Sequence, residues 1–328
     1  MGRRPDRHIP MQRALITGGA GFVGANLARR LLAEGCEVHL LVRPRFQDWR
    51  IRSVKDDLRF WTAAIEDGRA VGEAMAAVKP DAVFHLAAHG AYPHQTDRCA
   101  MFETNVLGTR NIVNGALAAG VGSLVVAGSS SEYGRRSKPH RESDEPRPES
   151  DYARTKAVAT AWCSWKARES SASITTLRLY SVYGPWEEPT RLVPRLIVEG
   201  RQGRRPPLAN PATSRDFVYV DDAVKAILLA SKMSPSVAGA VYNAGTGRQT
   251  TLADAVRAAD ELFGIEAEPV WASMPDRSWD TPVWVADNRL IRENLGWEPK
   301  VGFNEGLRKT LDWYEAETTV HKLYETAE

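Results

Sequence analysis

Short apolar runs recur through the first half of this 328-residue chain, at 13–17, 37–42, 82–87, 123–128 and 174–179. Between them, apolar residues fall at helical spacing, as in 22–33, 105–119 and 153–170. Runs of five or six residues rich in apolar side chains are the length of a strand, and the stretches that separate them have the length and period of helices. Strand alternating with helix predicts a doubly wound parallel α/β sheet of the Rossmann type. Beyond Tyr180 the pattern changes to GPWEEPTRLVPRLIVEGRQGRRPPLANPATSR, rich in Pro, Arg and Gly, and the region from Thr251 onward holds many of the tryptophans.

The first strand ends in glycines. Gly18 and Gly21 lie between the run at 13–17 and the helical stretch that starts at Phe22 and stops before Gly35, Gly24 lies in its first turn, and a second strand follows at 37–42. In that context, glycines let the backbone turn sharply and approach a pyrophosphate, whose charge then sits at a helix N-terminus. A nicotinamide dinucleotide is the expected ligand. Further on, Tyr152 and Lys156 stand four apart, so on a helix both face one cleft. A tyrosine titrates near 10, and acid/base work near neutrality needs a neighbouring cation to stabilise its phenolate. Alone, this spacing also describes an ordinary amphipathic helix with a solvated lysine. The glycine loop and the run Ser129-Ser130-Ser131 turn the balance toward hydride-transfer chemistry.

Taken in order, TGGAGFVG, HLAA at 85–88, NVLGT at 105–109, the serine run, YARTK and RDFVYVDD at 215–222 resemble the extended short-chain dehydrogenase/reductases, in particular their nucleotide-sugar epimerase/dehydratase branch. The resemblance runs from about Arg13 to about Tyr314. It implies a Rossmann domain over 13–180 with returning segments at about 214–247, and a smaller C-terminal α/β substrate-binding lobe from 181–213 and 248–328. It implies Ser129, Tyr152, Lys156 and Asn105 as the catalytic set, with Ser129 hydrogen-bonding the sugar oxygen. Gly18, Gly21, Phe22, Val23, Gly24, Leu86, Ala87, Ala88 and Lys156 would line the cofactor. His89, Tyr92, Ser130, Ser131, Ser181, Arg215 and Arg277 would line the substrate, the two arginines clamping a diphosphate with guanidinium forks. Ser181 stands where the family usually has Asn.

Three places bear on cofactor and reaction. The second strand ends in Leu41-Val42-Arg43-Pro44-Arg45, without the carboxylate that holds a ribose 2′-hydroxyl, so Arg43 and Arg45 favour NADP(H), with NAD(H) the alternative. Where the family commonly has an adenine-pocket aspartate, this chain has Ala64. Ser131 occupies the place of the dehydratases' catalytic glutamate, and Glu132 lies one residue later, where side chains point another way. Oxidoreduction at C-4 of a nucleotide-diphosphate sugar, as 4-ketoreductase or 4-epimerase, is therefore expected ahead of 4,6-dehydration. A non-catalytic Rossmann binding or sensor protein is the other class, and retention of both Tyr152 and Lys156 speaks against it.

Composition narrows the partners. With 43% hydrophobic and 26% charged residues and a net charge of +2, the chain has core enough for an elaborate fold and no electrostatic footprint for nucleic acid. Cys36, Cys99 and Cys163 are scattered and odd in number, as expected of reduced thiols in a cytoplasmic protein, and no metal-ligand spacing occurs. Residues 1–12 read as a basic, disordered leader, and no apolar run is long enough for a membrane. By resemblance, the helices at 105–119 and 153–170 would pair into a homodimer.

Overall fold

The computed structural model describes residues 11–92, 94–233, 239–274 and 281–327. Seven parallel strands form the main sheet: β1 (Arg13–Thr17), β2 (Glu37–Val42), β3 (Arg59–Thr62), β4 (Ala82–His85), β5 (Ser123–Ser129), β6 (Ser173–Leu179) and, returning late in the chain, β10 (Val241–Ala244). Their order is β10-β6-β5-β4-β1-β2-β3. Chain order reverses between β1 and β4, whose neighbours in sequence lie on opposite sides. A crevice opens at such a reversal, beyond the C-terminal strand ends.

Continuous apolar runs reflect burial on both faces. Ala14 and Ile16 of β1, Val38 and Leu40 of β2 and Phe84 of β4 join one core cluster, whereas Leu15, Leu41 and Val83 join the other. Every alternate side chain thus meets a different helical layer. Helices α1 (Phe22–Ala33), α2 (Gly68–Val78), α3 (Arg98–Phe102), α4 (Thr109–Ala118), α5 (Asp151–Arg168) and α7 (Val220–Ala230) cover the sheet. Strand β3 has no apolar run of its own, since Arg59-Phe60-Trp61-Thr62 is an edge strand paired only with β2. The run at 82–87 leaves the sheet after His85 because Leu86 and Ala87 turn into the crevice.

Outside the main sheet, β7 (Ser181–Tyr183) runs parallel to β9 (Phe217–Tyr219), and β8 (Ser214–Arg215) antiparallel to β11 (Thr250–Thr251). Around them lie α6 (Leu192–Gly200), α8 (Leu252–Phe263), α9 (Arg289–Leu295), α10 (Phe303–Ala316) and α11 (His321–Glu325). Aromatic side chains interlock here: Trp186 packs edge-on to Trp313, and Tyr183 meets Phe217 and Tyr219.

The helix expected over 105–119 is interrupted. Residues 103–108 form a π turn before α4 begins at Thr109. One extra residue per turn rotates Asn105 out of register with α4, and such turns concentrate at functional sites. Helix α5 begins two residues before 153, because the Ser150 hydroxyl accepts from Ala153 N–H and caps it.

Candidate active site

Helix α1 begins without a side-chain cap and has no acidic residue in its first turn. Its first N–H groups, on Phe22, Val23 and Gly24, are therefore left for an anion. Two glycines make the approach possible. Gly18 has φ 71° and a Cβ there would lie 2.6 Å from Ala87 N, while a Cβ on Gly24 would collide with the Gly18 carbonyl. Strands β1 and β4 pair at Thr17 and His85, so the two loops leave the sheet together, with Leu86 N–H donating to Thr17 O (3.0 Å). Ala87 is partly buried and Ala88 exposed on that ledge. Arg43 and Arg45 are exposed immediately past the end of β2, beside the glycine loop. An uncapped helix, a floor free of side chains and two cations at its rim fit a dinucleotide.

One strand further along, Ser129 ends β5. Its hydroxyl lies 2.7 Å from that of Ser131 and accepts the Ser131 N–H. Burial pushes the phenol of Tyr152, in the first turn of α5, up to about 12, and the neighbouring Ser129 opposes that shift. Lys156 is 2% exposed and donates to the Ala127 carbonyl at 2.5 Å. Burial is the main influence on this ammonium and lowers its pKa, and the Glu132 charge opposes that shift. Lys156 thus faces the end of β5 one turn below Tyr152, held by backbone rather than by the phenol.

Asn105, fully buried, bridges two of the site's walls. Its amide donates to His89 O (2.8 Å) and Thr155 Oγ1 (2.9 Å), and its Oδ1 accepts His89 N–H (2.9 Å). The loop carrying His89 and the helix carrying Tyr152 are tied together through this one side chain. The Asn105 carbonyl accepts from Thr109 Oγ1. Tyr92, stacked on His94, lies among Arg50, Glu187, Glu188 and Arg191, and is within the electrostatic reach of Tyr152.

Glu132 turns away from the cleft. It is 0% exposed, accepts from Ser129 N–H (2.8 Å) and Thr160 Oγ1 (3.0 Å), and forms a buried pair with Arg178 on β6 (2.8 Å). Both its oxygens are engaged in bracing β5, α5 and β6. The pattern Ser129-x-x-Glu132 is that of a capping box, which is the sequence signal for this role. Trp284 is a site residue without any such signal: its indole donates to Ser130 Oγ at 3.0 Å, and Arg215 lies over its ring at 5.6 Å. Ser181 opens β7, its N–H on the Asp216 carbonyl. Arg277 lies outside the described residues. Among the described residues no helix is long and apolar enough to cross a membrane.

Known proteins share this architecture. A UDP-glucose 4-epimerase of Mycolicibacterium smegmatis is 31% identical, over 92% of this chain and 98% of its own length. The crystal structure of Thermotoga maritima UDP-glucose 4-epimerase with UDP-glucose superposes with a TM-score of 0.84 at 29% identity, covering 94% of this chain and all of that one. That of Thermus thermophilus UDP-glucose 4-epimerase with NAD gives 0.81 at 29% identity, covering 93% and 99%. The family model for NAD-dependent epimerases/dehydratases matches residues 14–245, and the chain belongs to this family of enzymes.

Proposed function

We propose that this enzyme catalyses oxidoreduction at C-4 of a nucleotide-diphosphate sugar. One observation carries the reading: Tyr152 and Ser129 come together one helical turn above the buried Lys156, at the crevice where uncapped α1 begins. Bound at α1, the nicotinamide dinucleotide supplies the hydride donor or acceptor. Tyr152 passes a proton to or from the C-4 oxygen, Ser129 hydrogen-bonds the same oxygen, and the Lys156 ammonium favours the phenolate through space. Asn105 keeps the loop of His89 and helix α5 in register. His89, Tyr92, Ser130, Ser131, Ser181, Arg215 and Arg277 are assigned to the substrate, with segments 181–213 and 248–328 as the lobe that folds over it.

Arg43 and Arg45 support NADP(H) as the cofactor and, with an exchangeable cofactor, 4-ketoreduction. The similarity to UDP-glucose 4-epimerases, one solved with NAD, supports epimerisation as the second reading. Engagement of Glu132 with Arg178 removes the one carboxylate near Ser131 and weighs against 4,6-dehydration. A homodimer is supported by an apolar stripe on α5, where Val158 (50% exposed), Trp162 and Trp165 (43%) share a face near Phe102 (49%) of α3. Incubating the protein with UDP- and dTDP-hexoses and their 4-keto derivatives, and following nicotinamide absorbance and product by NMR, tests the reading; turnover confined to other substrate classes would overturn it.

A further inference from the structure

The segment 134–150 joins the end of β5, with its serine, to the helix that carries Tyr152. It is pinned at several points. Arg147 N–H donates to Glu132 O (3.0 Å), His140 N–H to Val285 O (2.9 Å), Asp287 N–H to His140 O (2.8 Å) and Asn243 N–H to Glu142 Oε1 (2.8 Å). Gly134, at φ 67°, lets the two ends of the segment close on each other, since a Cβ there would strike the Arg147 carbonyl. The backbone is therefore a preformed frame.

On its outer side this frame borders an open, solvent-facing cavity of about 490 Å³. Arg135, Arg136, Lys138, Arg141 and Arg147 supply five cations to the wall, against Asp144 and Asp287 in the wall and Glu149 and Glu145 paired with Arg135 (2.8 Å) and Arg147 (3.8 Å). Both aspartates are already committed. Asp287 is paired with Arg289 (2.7 Å) and Arg141 (3.3 Å), and Asp144 accepts the Arg141 N–H. Two cations are not fully engaged. Among the described residues Lys138 has no hydrogen-bond or ion-pair partner. Arg136 donates from Nη2 to the Glu145 carbonyl, yet its Nε is buried without a partner. A buried N–H donor left unmet is costly, and an oxyanion is the partner that would both satisfy it and neutralise the wall.

We propose that this cavity is a second ligand site, taking a diphosphate-bearing anion, separate from the catalytic cleft. None of its lining residues belongs to the set assigned to cofactor or sugar. Because its frame ends at Ser129 on one side and Tyr152 on the other, occupancy would stiffen the connection between them.

The test is calorimetric titration of the full-length protein with inorganic pyrophosphate, in the presence of saturating UDP and nicotinamide dinucleotide to fill the substrate and cofactor clefts, and in parallel with ADP. Pyrophosphate is expected to bind, more weakly at higher salt. The Arg136→Gln/Lys138→Ala variant should bind about tenfold or more weakly, for two lost charge-assisted contacts, while Arg215→Ala leaves the affinity unchanged. ADP binding more tightly than pyrophosphate would identify a nucleotide as the ligand, and equal affinities a phosphate-only site. The exposed single change Lys138→Glu, which touches no packed group, should also weaken binding. The proposal is overturned by absence of pyrophosphate binding to the UDP-saturated protein. It is equally overturned by binding that survives both cavity variants and is lost in Arg215→Ala.

Discussion

Replacing Glu132 by Gln separates a brace from a catalytic base. Glutamine keeps an oxygen to accept from Ser129 N–H and Thr160, so the local geometry can persist, but it removes the charge facing Arg178. Arg178 is 4% exposed, stacked 4.4 Å from the centre of the Tyr133 ring, and its Nη1 already lacks a partner. Stripping the counter-charge from a buried cation costs roughly 3–5 kcal/mol. For a chain of this length, unfolding entropy of about 2 cal/mol/K per residue converts that into a Tm lower by roughly 4–7 °C. Calorimetry on wild type, Glu132→Gln, Arg178→Met and the double variant would measure it. The double variant should recover much of the loss, since no buried charge is then left unpaired. Well below the Tm, turnover of Glu132→Gln should stay within about tenfold of wild type. Full stability combined with a loss of ~100-fold or more in rate, the usual scale for a removed acid/base group, would refute the argument and make Glu132 catalytic.

Three further outcomes follow from the geometry. Gly24→Ala should abolish cofactor binding measured by fluorescence quenching, because the new methyl group meets the Gly18 carbonyl under the cofactor loop. Affinity within a few-fold of wild type would contradict that floor. Arg43→Asp should weaken NADP(H) binding and leave NAD(H) the same or tighter; equal effects on both would remove Arg43 from the site. Trp165→Glu with Val158→Lys should convert a dimer to a monomer by light scattering, and a wild-type monomer at micromolar concentration would dismiss the interface.

Much of the main sheet was legible because burial on both faces leaves unbroken apolar runs, and the glycine loop is legible because only Gly tolerates the contacts at 18 and 24. Edge strand β3 was not, since Arg59 and Thr62 obscure any run. The π turn at 103–108 gave no warning either: NVLGT reads as ordinary helix, and only packing of Asn105 against His89 and Thr155 shows why the helix widens. Spacing put Tyr152 and Lys156 on one face, but did not show that Lys156 would donate to the Ala127 carbonyl, a contact made across 29 residues. Trp284 reaches Ser130 across 154 residues, beyond any local pattern. The chain beyond Tyr180 was least legible, because its short strands pair between distant segments and its packing is aromatic rather than periodic.

The most direct test of the central claim is hydride transfer from C-4. Nucleotide hexoses deuterated at C-4 are incubated with the enzyme and oxidised cofactor, and deuterium is sought in the reduced cofactor by mass spectrometry, for wild type and for Tyr152→Phe. The account predicts transfer by wild type and a rate at least ~100-fold lower for Tyr152→Phe, with cofactor affinity retained. Transfer by Tyr152→Phe within a few-fold of wild type, or none from any C-4-labelled nucleotide hexose, would contradict it.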